Sequence, residues 1–358
     1  MGHKKKLIVV KIEAIGDYIL FRNYLEILKK SQKYKDYQVT LVGNKLWQNI
    51  AIEFDAQYVD YFIWININRF SSSRLYRFYC YFRLKFRYYD ELLCPSHSRR
   101  FFIEDDLIRR VRAKIKIGSE GDLANSTSER KMISDDYYSR LVSGTGKALL
   151  EFERNRVFFE SILTERVKKL SKPYIQVEKP KKKDQLIIAP GAGASFRQWA
   201  PANFANLCDK IIAEYSIEIL ICGSKQDRAI AAEITDRMKE KKKRIHNMCG
   251  ETSLIELINL ISSTKVVVAN ESSPIHVAAA VNTTAICLSN GNHFGRFNPY
   301  SKLGNNRIIT LYPPKIAQRL NGEYEELVKE YYNGSKEDIN KISVEDVFNS
   351  FKEIAKFS

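Results

Sequence analysis

Four short runs in this 358-residue chain hold residue types that handle protons and anions. In Glu13-Ala14-Ile15-Gly16-Asp17 the glycine permits a turn and a carboxylate opens the next element. An aspartate there caps a helix or, facing a bound alcohol, takes its proton as a general base. In Gly191-Ala192-Gly193-Ala194-Ser195 the side chains are small enough for backbone N–H groups to approach an oxyanion, and a plain tight turn has the same composition. Arg197-Gln198-Trp199-Ala200-Pro201 follows, with an arginine able to pair bidentately with a diphosphate, or simply to be solvated beside a structural Trp199. In Asn270-Glu271-Ser272-Ser273-Pro274-Ile275-His276, Glu271 can accept bonds from sugar hydroxyls, and N–H groups at the helix opened by Pro274 can hold a phosphate. A helix cap alone accounts for Ser272 or Ser273, and packing alone for His276, but neither accounts for the carboxylate and the imidazole together.

These runs need elements to present them, and the periodicity supplies a βα series. Strand Leu7–Ile12, a helix from about Tyr18 to Lys30 and strand Gln38–Val42 come first. Strands Ala56–Phe62, Tyr89–Cys94 and Ala113–Ile117 then alternate with helices near Lys45–Phe54, Ser72–Phe86 and Glu104–Val111. Between about Glu165 and Lys183 the chain becomes charged and broken by Pro173 and Pro180, as a linker does. A second series follows: strands Gln185–Ala189, Ile217–Cys222, Arg244–Met248, Lys265–Ala269 and Thr284–Leu288, with helices Pro201–Glu214, Gln226–Lys241, Ser253–Ile261 and Pro274–Ala280. Ser343-Val344-Glu345-Asp346 caps a closing helix running to about Lys356. The expected fold class is therefore α/β, two Rossmann-like domains with parallel sheets, at 1–178 and 184–340, with 341–358 as the closing helix. A ligand cleft is expected between their strand C-terminal edges.

Composition narrows the function classes. Residues 1–183 hold 37 Lys and Arg against 22 Asp and Glu, whereas residues 184–358 hold 21 against 20. The first half thus carries nearly all the net charge of +16 and suits an anionic partner: an acidic glycan, a nucleic acid or a membrane surface. Residues 69–116 interleave 13 Lys and Arg with 11 aromatics, matching no RRM, KH or helix-turn-helix pattern, which favours a membrane-facing or glycan-facing helix over nucleic acid. A solvated basic face over an aromatic core gives the same pattern. The six scattered cysteines show no CxxC and no zinc spacing, so small buried thiols are expected. No run is apolar and long enough to cross a bilayer and Leu7–Val10 reads as a strand, so a cytosolic chain is expected. The absence of DxD, HExxH and GxSxG disfavours a DxD-held metal diphosphate and a serine hydrolase.

In this order the motifs resemble glycosyltransferase family 9, the heptosyltransferase-like family with a GT-B fold. The carriers are Gly16-Asp17, the loop from Pro190 to Phe204, Ile219–Cys222 with Gly223 and Asp227, Cys249-Gly250-Glu251-Thr252-Ser253-Leu254, and Asn270–His276. The resemblance implies Asp17 as general base and Arg197 as the cation at the donor diphosphate, where many members have lysine. It implies Glu271, Ser272, Ser273 and His276 against the nucleotide sugar, and Gly191, Gly193, Ser195, Asp227 and Thr252 around the nucleotide. Arg99 and Arg100 are the expected acceptor-binding cations. Glu271-Ser272-Ser273-Pro274 departs from the family's Asp-Thr/Ser-Gly-Pro, and Asn290–Phe297 replaces a shorter loop, where His293 or Arg296 would add phosphate contacts.

The expected activity is inverting, metal-independent transfer of a sugar, a heptose being the first choice, from a nucleotide-diphosphate donor such as ADP-heptose. The acceptor is a hydroxyl of a cell-envelope glycan such as lipopolysaccharide core. No cofactor, no metal and no nucleic acid are expected, and the enzyme is expected in the cytoplasm, in peripheral contact with the inner membrane. A nucleotide-sugar epimerase of the same architecture and a non-catalytic nucleotide-sugar-binding protein are the alternatives.

Overall fold

The computed structural model describes residues 4–144, 149–163, 170–178, 180–239 and 244–355. The chain divides into two compact units, Met1–Leu170 and Ser171–Ser358.

The first unit is a six-stranded sheet of β1 (Lys6–Lys11), β2 (Gln38–Asn44), β3 (Tyr61–Ile65), β4 (Tyr88–Cys94), β5 (Arg112–Ser119) and β6 (Arg140–Val142), in the order β3-β2-β1-β4-β5-β6. Every pairing is parallel. Leu7, Ile8, Val9 and Val10 are all buried, as a central strand covered on both faces requires. The expected helix from Tyr18 runs as Ile15–Phe21 and Asn23–Lys30, meeting at Arg22, whose buried guanidinium pairs with Asp55 at 2.7 Å. The expected strand Ala56–Phe62 lies further along: Ala56–Tyr58 is a turn of 3₁₀ helix, and pairing with β2 begins at Tyr61. Asp60 accounts for the delay, since its carboxylate accepts from Val39 N at 2.7 Å and from Lys29 at 3.0 Å just before the strand.

The second unit repeats the plan with β7 (Lys183–Ala189), β8 (Glu218–Ile221), β9 (Ile245–Asn247), β10 (Thr264–Asn270), β11 (Thr284–Leu288) and β12 (Ile308–Leu311), in the order β12-β11-β10-β7-β8-β9, again all parallel. Helix Pro201–Glu214 matches its expected bounds, with proline in its first turn. Helix Arg228–Arg237 stops short of Lys241, which lies outside the described residues, as does Lys356. The closing helix Val344–Ile354 is capped by Ser343, whose Oγ accepts from Asp346 N at 3.0 Å, and it buries Phe348 and Phe351 against the core of Trp199, Phe204 and Ile211. The six cysteines are free and buried. Burial pushes the thiols of Cys94, Cys208, Cys222 and Cys249 up to about 12, so they act as apolar filler.

In each order the strand sequence reverses once, between β1 and β4 and between β7 and β10. Loops leaving neighbouring parallel strands on opposite sides open a crevice there, at the carboxyl edge. The four chemically suggestive runs are, or directly follow, the loops after β1, β7 and β10, and Arg99 and Arg100 follow β4.

Candidate functional site

At the switch point of the first unit the turn after β1 is braced from three sides. The main-chain oxygen of Glu13 accepts from Trp47 Nε1 at 3.1 Å and from Asn44 Nδ2 at 3.2 Å, and its carboxylate takes Lys11 Nζ at 2.8 Å and Ile12 N at 2.9 Å. Lys11 is the last residue of a buried strand. Burial works against its charge, but Glu13, Glu151 and Asp17 together hold its pKa well above the ordinary lysine range. Burial likewise pushes the Glu13 carboxyl upward, and Lys11 overrides it, leaving the acid ionised. Asp17 lies half-buried in the first turn of helix Ile15–Phe21, where the partial positive charge of the N-terminus favours a carboxylate.

Across the switch point, Arg100 is paired with the fully buried Glu104, and the fields of Glu13 and Asp17 add to that pairing in keeping it protonated against burial. Burial raises the Glu104 carboxyl above its ordinary value. Asp17 therefore sits in the field of two cations, Lys11 and Arg100. Arg99 has a different position. It is buried, bonded to Asp105 at 3.0 Å and to Asp135, and its guanidinium lies 4.7 Å over the Tyr138 ring, so it joins the loop after β4 to the rest of the unit.

In the second unit the loops after β7 and β10 are tied to each other. Asn270 Nδ2 donates to Pro190 O at 2.6 Å, and its Oδ1 accepts from Trp199 N at 3.1 Å. Trp199 is wholly buried and donates from its indole to Ile342 O at 2.9 Å. Arg197, held in the turn between them, donates from Nη2 to the main-chain oxygen of Glu271 at 2.6 Å. Its Nε is buried with no hydrogen-bond partner, which costs about 1–3 kcal/mol unless something accepts from it. Beside it, helix Ser273–Ala280 begins with no side chain capping it, because the Ser272 hydroxyl bonds to Asn270 O instead. Pro274 has no N–H and Ile275 N already donates to Ser272 O at 3.1 Å, so the unmatched guanidinium donor, with the Ser273 N–H at the helix start, is what suits an oxyanion.

The Glu271 carboxylate is buried and accepts from Ser289 Oγ at 2.6 Å and Asn298 Nδ2 at 2.8 Å, so it locks the loop after β11 onto β10. His276 is buried, hydrogen-bonded through Nδ1 to the Tyr300 hydroxyl at 2.7 Å. Burial, helped by the charge of Arg197, pulls its pKa down to about 4, so the imidazole is neutral near pH 7. Asp227 caps the turn after β8: its Oδ2 accepts from Ser224 N and Oγ, each at 2.7 Å. A Cβ on Gly191 would stand 2.5 Å from Asp227 Oδ1, so glycine is what lets the two loops touch. Around Gly193 there is open space, and Ser195 is exposed. Thr252 is half-exposed, immediately before the capping box of Ser253 and Glu256. Arg296 is buried with its guanidinium over Phe297, and His293 Nδ1 meets Tyr332 O at 3.0 Å.

Lys11, Glu104, Ser289, Asn298 and Tyr300 are the polar residues that sequence reasoning did not single out. Only Lys11 had a readable signal: a lysine ending an otherwise unbroken apolar strand. Among the described residues no three His, Cys, Asp or Glu side chains gather as metal ligands, and no helix is long and apolar enough to cross a membrane.

The model of glycosyltransferase family 9 (heptosyltransferase) matches residues 107–322, more than half of the chain. The chain belongs to this family. Lipooligosaccharide heptosyltransferase 2 of Haemophilus influenzae is 30% identical over 135 residues, 33% of this chain and 39% of that protein, so the alignment spans well under two thirds of the relative's length. The E. coli heptosyltransferase WaaC, solved with ADP, superposes with a TM-score of 0.72 over 98% of this chain and 100% of its own, at 15% identity. A family 9 glycosyl transferase from Veillonella parvula gives 0.71 over 98% and 97%, at 16%. The fold is GT-B, α/β with two parallel sheets, as the sequence led one to expect.

Proposed function

We propose that this family 9 member transfers a heptose from a nucleotide-diphosphate donor, ADP-heptose by preference, to a hydroxyl of a lipopolysaccharide-type core, with inversion. The observation that carries the reading is the buried, unmatched Nε of Arg197 at the β7–β10 switch point, beside the uncapped start of helix Ser273–Ala280. As the glycosidic bond breaks, negative charge collects on the leaving diphosphate, and a fixed guanidinium with the Ser273 N–H at the helix start stabilises that charge. Gly193 and Ser195, exposed in the same loop, leave room for the donor's phosphates. Asp17 takes the proton of the acceptor hydroxyl, within the field of the Lys11 and Arg100 cations. Arg100 also receives the anionic acceptor, and the enzyme works at the cytoplasmic face of the inner membrane.

Incubation with ADP-heptose and a heptose-deficient core glycolipid tests this: ADP release and an acceptor heavier by one heptose are expected. Free sugar released from donor alone would point to an epimerase-type reaction. Donor binding without turnover would point to a sugar-binding protein.

A further inference from the structure

Helix Arg74–Lys85 presents a second apolar face, turned away from the sheet it packs on. Cys80 and Leu84 are buried in the core of the first unit, yet Leu75 is 85% exposed, Phe78 75%, Phe82 63% and Phe86, just beyond the helix end, 69%. Tyr79 is exposed with them. At about 100° per residue, positions 75, 78, 79, 82 and 86 fall within an arc of about 100°, opposite Cys80 and Leu84. Within the stripe Phe82 and Phe86 meet edge-on, their ring centroids 4.8 Å apart, and Tyr79 lies 6.1 Å from the half-buried Tyr76 at its margin. So long an exposed apolar stripe normally marks a surface that something covers.

Charge says what covers it. From Tyr61 to Tyr89 the chain has six Lys and Arg and no Asp or Glu. Arg83 flanks the stripe on one side, its guanidinium 5.7 Å over the Tyr79 ring, while Arg74 and Lys85 flank it on the other, both exposed. Arg77, by contrast, is turned back onto Phe70 O and Ser71 O. Aromatics between two rows of cations suit an interface that is apolar at depth and anionic at its surface, which is a bilayer with acidic headgroups. We propose that helix Arg74–Lys85 lies in the surface of an anionic phospholipid bilayer, with Leu75, Phe78, Tyr79, Phe82 and Phe86 inserted and Arg74, Arg83 and Lys85 at headgroup level. The helix returns from the end of β3 to the start of β4, so its first turn stands at the edge that carries Asp17. This deepens the proposed reading, in which the acceptor is a glycolipid, by naming the surface that meets the membrane.

Flotation of the full chain with phosphatidylglycerol–phosphatidylethanolamine vesicles, and with phosphatidylcholine vesicles, tests it. Preferential binding to the anionic vesicles is expected, weakened about tenfold or more by Phe78→Ser with Phe82→Ser. Arg74→Glu with Lys85→Glu should remove the preference for anionic lipid, with the melting temperature and the thermal shift given by ADP unchanged in both variants. If the double serine variant does not fold, Leu75→Ser carries the same expectation. Undiminished binding by the serine variants, or no binding by the wild type, overturns the proposal. So does self-association in sedimentation velocity that those variants abolish, since that gives the face to a second copy. Vesicle binding needs no donor, so loss of heptosyl transfer with intact flotation would sink the transfer reading alone.

Discussion

Arg197 reaches the main-chain oxygen of Glu271 at 2.6 Å, while the Glu271 carboxylate is occupied by Ser289 and Asn298. The arginine is thus aimed by backbone and not neutralised by the acid next to it, which leaves its charge for a ligand. Removing it as Arg197→Ala should lower donor affinity and kcat/KM together, by about 10- to 150-fold, the range of a charge-assisted hydrogen bond of about 1.5–3 kcal/mol. Arg197→Lys, a point charge without the fork, should recover part of that loss. Steady-state kinetics with ADP-heptose give both numbers, and unaltered kinetics in the alanine variant would remove Arg197 from the donor site.

Asp17→Asn keeps shape and removes the base. Transfer should fall about 100- to 10,000-fold while donor affinity stays within a few fold. Calorimetry with ADP separates the outcomes, because a collapse of nucleotide binding would mean that Asp17 holds the fold or the donor and does not move a proton.

Glu271 braces two donors, so Glu271→Ala should show first in stability. It leaves the Ser289 hydroxyl and the Asn298 amide without their buried acceptor, at a cost of about 2–4 kcal/mol in chemical denaturation. If the variant keeps full stability and loses only donor binding, the carboxylate serves the ligand instead.

The pH dependence of stability follows from His276. Its native pKa lies near 4 against an ordinary value of 6.5, so as pH falls between them the unfolded chain gains a proton that the folded chain does not. Its contribution is therefore absent above about pH 6.5 and destabilises the protein progressively toward pH 4, at up to ~1.4 kcal/mol per pH unit. His276→Asn, which can still bond Tyr300, should flatten that slope in urea titrations at pH 7, 6 and 5. Parallel slopes for the two proteins would contradict the buried neutral imidazole.

Gly191 and Asp227 should be coupled. Gly191→Ala places a methyl group 2.5 Å from Asp227 Oδ1 and should destabilise alone, whereas in an Asp227→Ala background it should cost much less. A double-mutant cycle with additive losses would show that the two loops relax independently.

The chain order of motifs and the two βα series were legible in the residues themselves, because buried parallel strands must be runs such as Leu7–Val10 and a proline such as Pro201 fits a helix only at its start. Helix Pro201–Glu214 and strand Thr284–Leu288 needed nothing more. β6 and β12, the edge strands that sequence reading does not anticipate, are recruited by folding through pairing with β5 and β11. The division of labour among the polar residues was hidden for a different reason. Arg99 and Arg100 are neighbours of one type, yet one meets Asp105 and Asp135 and the other Glu104, partners up to 36 positions away. Likewise nothing in Asn270–His276 shows that the Glu271 carboxylate meets Ser289 and Asn298, 18 and 27 positions on. Local sequence dictates which groups reach a strand's carboxyl edge, and the long-range packing at that edge dictates which of them still has a bond to give.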